Sequence, residues 1–149
     1  MKYLIGIGNV MRNDDGIGPR VIDYILEKEL EEHFISLDFA SNAWGILPLL
    51  NPETEKILCI DCACMGKAPG FAQFFSLDSV FYQDKQTAES HESSIVQLIN
   101  VAKQADYPIP AISIMGIEPT NVEFGQSLSA CLEESIPDYA QQAIAFIQS

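Results

Sequence analysis

Five short apolar runs constrain this chain more than any other feature. They are YLIGI (3–7), ISLDF (35–39), KILCID (56–61), FAQFF (71–75) and AISIMGI (111–117). Each is strand length, and most are bounded by Gly, Pro or a polar residue, which favours buried strands over helices. Between them the period lengthens. Residues 18–32 read as a helix with Pro19 in its first turn. Val21, Ile22, Ile25, Leu26 and Leu30 form one face, and EKELEE forms the other. Residues 91–105 read as a second long helix, with Ser90 as N-cap and Ile95, Leu98, Ile99 and Ala102 inward. Residues 137–148 read as the last, with Ala140, Ile144 and Phe146–Ile147 near its buried face. AWGILPLL, before the third run, is a short helical segment interrupted by Pro48.

Strand and helix alternate, which predicts an α/β fold: three layers, α/β/α, around a twisted, mostly parallel sheet of about five strands. One strand is expected to be antiparallel. Only the turn MGKAPG separates FAQFF from KILCID, so pairing between those two is the simplest expectation. No repeat, low-complexity tract or linker breaks the pattern, and residues 1–149 read as one domain. In such sheets chemistry collects at the carboxyl ends of the strands. Three polar or acidic loops are expected there: GNVMRNDDG, the segment after Asp61, and GIEPTNVEFG.

Charge narrows the partners. Lys and Arg total 8 and Asp and Glu total 21, a formal net charge of −13. Such a surface repels phosphate backbones and anionic membranes, so nucleic acid is not an expected partner. Cations and basic segments are attracted. No apolar stretch approaches the ~20 residues that cross a bilayer, and the opening MKYLIGIGN lacks a signal-peptide pattern. A cytoplasmic, monomeric protein with no membrane insertion is expected. Cys59, Cys62 and Cys64 crowd into six residues, unsuited to a disulfide framework, so reduced thiols are expected.

The first loop imitates a dinucleotide fingerprint and departs from it. The third glycine of G-x-G-x-x-G would stand at position 11, where the chain has Met11. Asn13, Asp14 and Asp15 then intervene before the helix, and carboxylates there oppose phosphate. Nor is there a Walker sequence. Asp14 and Asp15 have two readings. One acidic residue caps a helix start, worth about 0.3–1 kcal/mol. A second is superfluous for capping, and adjacent like charges ionise together more readily beside a cation. Taken alone, the pair supports either reading.

Asp61 ends an otherwise apolar run, where a charge is expensive unless it turns the chain or serves a site. His91 lies in QTAESHESS and reads either as a solvated surface residue or as a nitrogen ligand completing an O,O,N set with two carboxylates. That set suits nickel, zinc or another late divalent ion and leaves coordination positions open. His33 reads as a cation at the end of the 18–32 helix. Cys59 and Cys131 read as small core residues. Cys62 and Cys64 follow Asp61 and can line a site there. Cys59-Ile60-Asp61-Cys62 spells C-x-x-C but spans a strand end rather than a helix start. A nucleophilic Cys62–His91 pair has no supporting local motif. H-E-x-x-H, G-x-S-x-G and D-[ST]-G are absent from the sequence.

GIGNVMRNDDGIGPRV, ILCIDCACMGKAPG, ESHESS and GIEPTNVEFGQSLS, in that order, resemble the hydrogenase maturation endopeptidases over nearly the whole chain. The resemblance implies removal of the C-terminal extension of a nickel–iron hydrogenase large-subunit precursor after nickel insertion. It maps the family's metal-contacting and catalytic positions onto Asp15, Asp61 and His91. It further implies that nickel is held by the precursor, with Zn or Cd able to take the same site, and that the partner is that precursor. Whether the metal polarises the scissile carbonyl or only marks the substrate, with Asp15 or Asp61 as base, stays open at this level. A non-proteolytic nickel-binding or delivery module is the alternative. One departure stands out: where many members carry D-x-G-T after the second strand, this chain reads DFAS (38–41).

Overall fold

The computed structural model describes residues 1–77 and 94–149 in full and residues 91–93 as helical backbone. Its strands are β1 (Lys2–Gly6), β2 (Ile35–Asp38), β3 (Lys56–Cys62), β4 (Ala72–Ser76) and β5 (Ala111–Ile117). The helices are α1 (Ile17–Glu27), α2 (His91–Gln104), α3 (Ala130–Glu134) and α4 (Ile136–Gln148). Two 3-10 segments, Asn13–Gly16 and Ala43–Leu49, complete the described elements.

The five strands form one sheet in the order β2-β1-β3-β5-β4. The β1–β2, β1–β3 and β3–β5 pairs are parallel. The antiparallel strand is β4, as expected, but its partner is β5 rather than β3. The segment between β3 and β4 is too long for a tight hairpin, and β5 fills the position beside β3. Ile57 through Asp61 are buried, and parallel pairing on both sides of β3 suits so continuous a run.

Alternation along the strands splits the core in two. Ile5, Ile57, Cys59, Ile112 and Ile114 face α2 and the Ala43–Leu49 segment, meeting Ile46, Ile95, Leu98, Ile99 and Ala102. Leu4, Leu58, Ile60, Met115 and Ile117 face α1 and α4, meeting Val21, Ile22, Ile25, Ala140 and Ile147. Helices thus cover both faces, giving the three layers.

Two elements differ from expectation. The first helix stops at Glu27, not at residue 32. Glu29 takes a left-handed φ of 53°, and Leu30 N–H reaches back to Ile25 C=O at 3.0 Å, so the turn closes without the usual glycine. His33, at φ 63°, lies in the loop beyond and is not a dipole partner of that helix. The short α3 was not legible from periodicity, since five residues span little more than one turn.

Candidate active site

The chain leaves β1 toward β2 on one side, then returns to place β3 on the other. In open α/β sheets the crevice at such a reversal, here beyond the carboxyl ends of β1 and β3, is the usual ligand position. The loop after β1 carries Asp14 and Asp15, and Asp61 lies next to last in β3. The 3-10 segment Asn13–Gly16 packs directly against β3.

Glycines make that packing possible, and they serve the chain itself rather than a phosphate. Gly8, at φ +148°, lies so near the backbone of Asp15 that a Cβ would fall 1.9 Å from its carbonyl oxygen. On Gly18 a Cβ would fall 2.1 Å from Ile60 O and 2.6 Å from Ile7 O, so α1 can start only where glycine lets it touch the sheet.

The acidic pair divides its labour. Asp14 is fully buried. Its Oδ1 accepts Ser129 N–H at 2.7 Å. Its Oδ2 accepts Ser129 Oγ–H at 2.8 Å, Thr120 N–H at 2.9 Å and Asn121 N–H at 3.1 Å. Burial alone would raise its pKa, but these donors outweigh it and hold the carboxyl below its ordinary value. A carboxylate so engaged is a structural tie. Asp15 is half-buried, and its Oδ2 accepts Asn9 N–H at 2.9 Å. Of the two neighbours, Asp15 is the one that is not fully buried.

Asp61 is buried, on the same strand alternation as Ile57 and Cys59 and hence on the α2 face of the sheet. The charges of Asp61, its chain neighbour, and of Asp15 both act on Cys62. That half-buried thiol is pushed well above its usual range, first by burial, then by the negative charges of Asp61 and Asp15. A thiol held protonated is a poor nucleophile. Cys59 is buried, as expected, and its thiol is likewise raised by burial. Cys131, read from sequence as core, is exposed, in the first turn of the short α3 beside Ser129.

His91 is the first residue of α2. Ile99 and Lys103, in the second half of that helix, share a 190 Å³ cavity with Pro110–Ser113 at the amino end of β5. The 14-residue helix spans about 21 Å, close to the length of β5, so its first turn lies toward the carboxyl edge of the sheet. The His91 side chain and the Ser90 cap fall outside the described residues. Among the described residues, no three His, Cys, Asp or Glu side chains form a metal-holding group.

Sequence reasoning gave less weight to the loop after β5, whose roles are spread over single residues. Glu118 is buried and accepts Met65 N–H at 2.9 Å and Lys67 N–H at 2.6 Å, shaping the loop that carries Cys64. Asn13 accepts Ser127 N–H at 3.2 Å and donates to Glu123 C=O at 3.0 Å. Arg12 Nε donates to Val122 C=O at 3.1 Å, and its guanidinium lies over the exposed Phe124 ring at 5.8 Å. The only early signal for these roles was the polar density of GIEPTNVEFGQSLS itself.

Comparison with known proteins gives a consistent result. Residues 21–146 match the HycI family model, described as hydrogenase maturation protease. The hydrogenase expression/formation protein HupD of Rhodobacter capsulatus is 26% identical over 140 residues, covering 92% of this chain. The chain spans 66% of HupD's own length. The hydrogenase maturating endopeptidase HybD of E. coli superposes with a TM-score of 0.83 at 16% identity, over 99% of this chain and 91% of that one. The [NiFe] hydrogenase maturation protease HybD of Thermococcus kodakarensis gives 0.80 at 20% identity, over 98% of each chain. At such identities the structural likeness speaks for the fold, and the family model, matching most of the chain, speaks for descent. The chain belongs to the hydrogenase maturation protease family.

Proposed function

We propose that this protein is an endopeptidase that removes the C-terminal extension of a nickel–iron hydrogenase large-subunit precursor once nickel has been inserted. Family membership supports the reaction class. The observation that carries the reading is the placement of Asp15 in the loop after β1 and of Asp61 near the end of its parallel neighbour β3, at the strand-order reversal. With His91 at the start of α2 they form the proposed O,O,N set. Two carboxylates and one imidazole are an incomplete shell that leaves positions for ligands from a partner. Such a set grips a divalent ion best when another protein supplies the remaining ligands, so cleavage is coupled to a metal-loaded substrate. A carboxylate beside the scissile carbonyl also serves as general base toward water. The acid-rich surface favours a basic substrate segment.

The test is incubation with precursor carrying or lacking nickel, followed by mass measurement of the large subunit. Trimming of the nickel-loaded form alone is expected, and Asp15→Ala, Asp61→Ala and His91→Ala should each lower it by at least about 10²-fold. Equal trimming of nickel-free precursor would remove the metal from the recognition step. Full activity in the Asp61→Ala variant would remove the proposed site.

A further inference from the structure

We propose that Asp14 is a positioning residue: its carboxylate fastens the Asn13–Gly16 turn to the loop after β5, and that attachment aims Asp15 into the crevice. The proposal rests on the functional reading above.

Among the described residues, every hydrogen bond to the Asp14 side chain comes from residues 120–129: the N–H groups of Thr120, Asn121 and Ser129 and the Ser129 hydroxyl. Its own N–H donates to Asn121 C=O at 3.0 Å. The residues before it continue the seam. Asn13 N–H donates to Gly125 C=O at 2.7 Å, and Gly125 N–H to Met11 C=O at 2.8 Å. Gly125 has no room for a side chain, since a Cβ would stand 2.2 Å from Asn13 Oδ1. At Asp15 the attachment changes sides: its carboxylate takes Asn9 N–H, within its own loop.

The turn is a 3-10 helix, with three residues per turn, so neighbouring side chains point about 120° apart. Fixing Asp14 in one direction therefore fixes Asp15 in another. A carboxylate suits this better than an amide. The four groups facing it are all donors, and asparagine would set its own NH₂ against one of them. Serine at 129 matters for the same reason, because it alone supplies both a backbone and a side-chain donor.

The experiment uses the full-length protein and nickel-loaded precursor. Asp14→Asn and Ser129→Ala are compared with wild type for kcat, KM and Tm. Ile147→Ala, a buried position on α4, serves as a destabilised control away from the crevice. A displaced catalytic group lowers turnover more than binding, so kcat should fall about 10²-fold in Asp14→Asn, and less in Ser129→Ala, with KM within about threefold. Ile147→Ala should lower Tm yet keep wild-type kcat when assayed below its melting range. Should Asp14→Asn fail to fold, Ser129→Ala decides alone. Wild-type kcat in Ser129→Ala, or a loss in kcat no larger than that of an equally destabilised Ile147→Ala, overturns the proposal. Failure of the wild-type enzyme to trim any precursor would instead overturn the functional reading on which it rests.

Discussion

Asp14 and Asp15 are chemically identical and adjacent, yet the fold gives them different work. Asp14 spends its lone pairs on donors from residues 120–129, whereas Asp15 keeps a half-buried carboxylate near Cys62. This difference has a pH signature. Asp14's folded pKa lies below the ordinary 3.8, so its contribution to stability is fully present above that value and is lost as pH falls through the lower, folded one. Urea unfolding from pH 7 to pH 3 should therefore show a flatter acid-side loss in Asp14→Asn than in wild type. At pH 7 that variant should be less stable by about 1–3 kcal/mol, the penalty for leaving buried donors poorly matched. An unchanged acid slope would count against the tie. The cysteines make a second residue-scale prediction. With maleimide at neutral pH, Cys64 and Cys131 should label in the native protein, and Cys59 and Cys62 only after unfolding. Rapid native labelling of Cys62 would show that its environment differs from that described.

At the scale of elements, the loop after β2 holds a strained residue. Ala40 adopts a left-handed φ of 50°, a conformation that favours glycine. The turn holds it there: Ala40 N–H donates to Asp38 Oδ1 at 2.8 Å, and its carbonyl accepts Gly8 N–H at 2.7 Å. An L-residue in that region is strained by about 1–2 kcal/mol. Ala40→Gly should therefore stabilise the protein by about 0.5–1 kcal/mol after allowance for the freer unfolded glycine. Chemical denaturation is the measurement, and a destabilised variant would mean that the turn does not carry this strain. The elements also show where sequence patterns have force. The spans of β3 and β5 could be read almost to the residue, because long apolar runs admit few alternatives. The end of α1 could not, because Glu29 rather than glycine takes the left-handed turn. Nor could the partner of β4, since pairing depends on which strand already occupies the edge of β3.

The whole molecule carries 21 acidic and 8 basic residues, and its compact form concentrates that excess. One exposed ion pair joins the chain's terminal amine to Glu55 at 3.6 Å. Screening should help. Raising monovalent salt from about 10 mM to about 150 mM shortens the Debye length from about 30 to about 8 Å and should raise Tm. A Tm that falls over this range would indicate that attractive pairs dominate instead. Among the described residues no helix is long and apolar enough to cross a membrane.

By itself the sequence determined the α/β class, the strand and helix inventory apart from one short helix, and the acidic character of the loop after β1 and the end of β3. Those follow from local periodicity and from the expense of burying a carboxylate at the end of an apolar strand. Only the tertiary structure decided that Asp14 is the member of the acidic pair tied to the loop after β5, because that depends on donors more than a hundred residues away at Thr120, Asn121 and Ser129. Hydrogen bonds between distant segments leave no period in the sequence. They come into being when the sheet sets the loops after β1 and β5 on one edge.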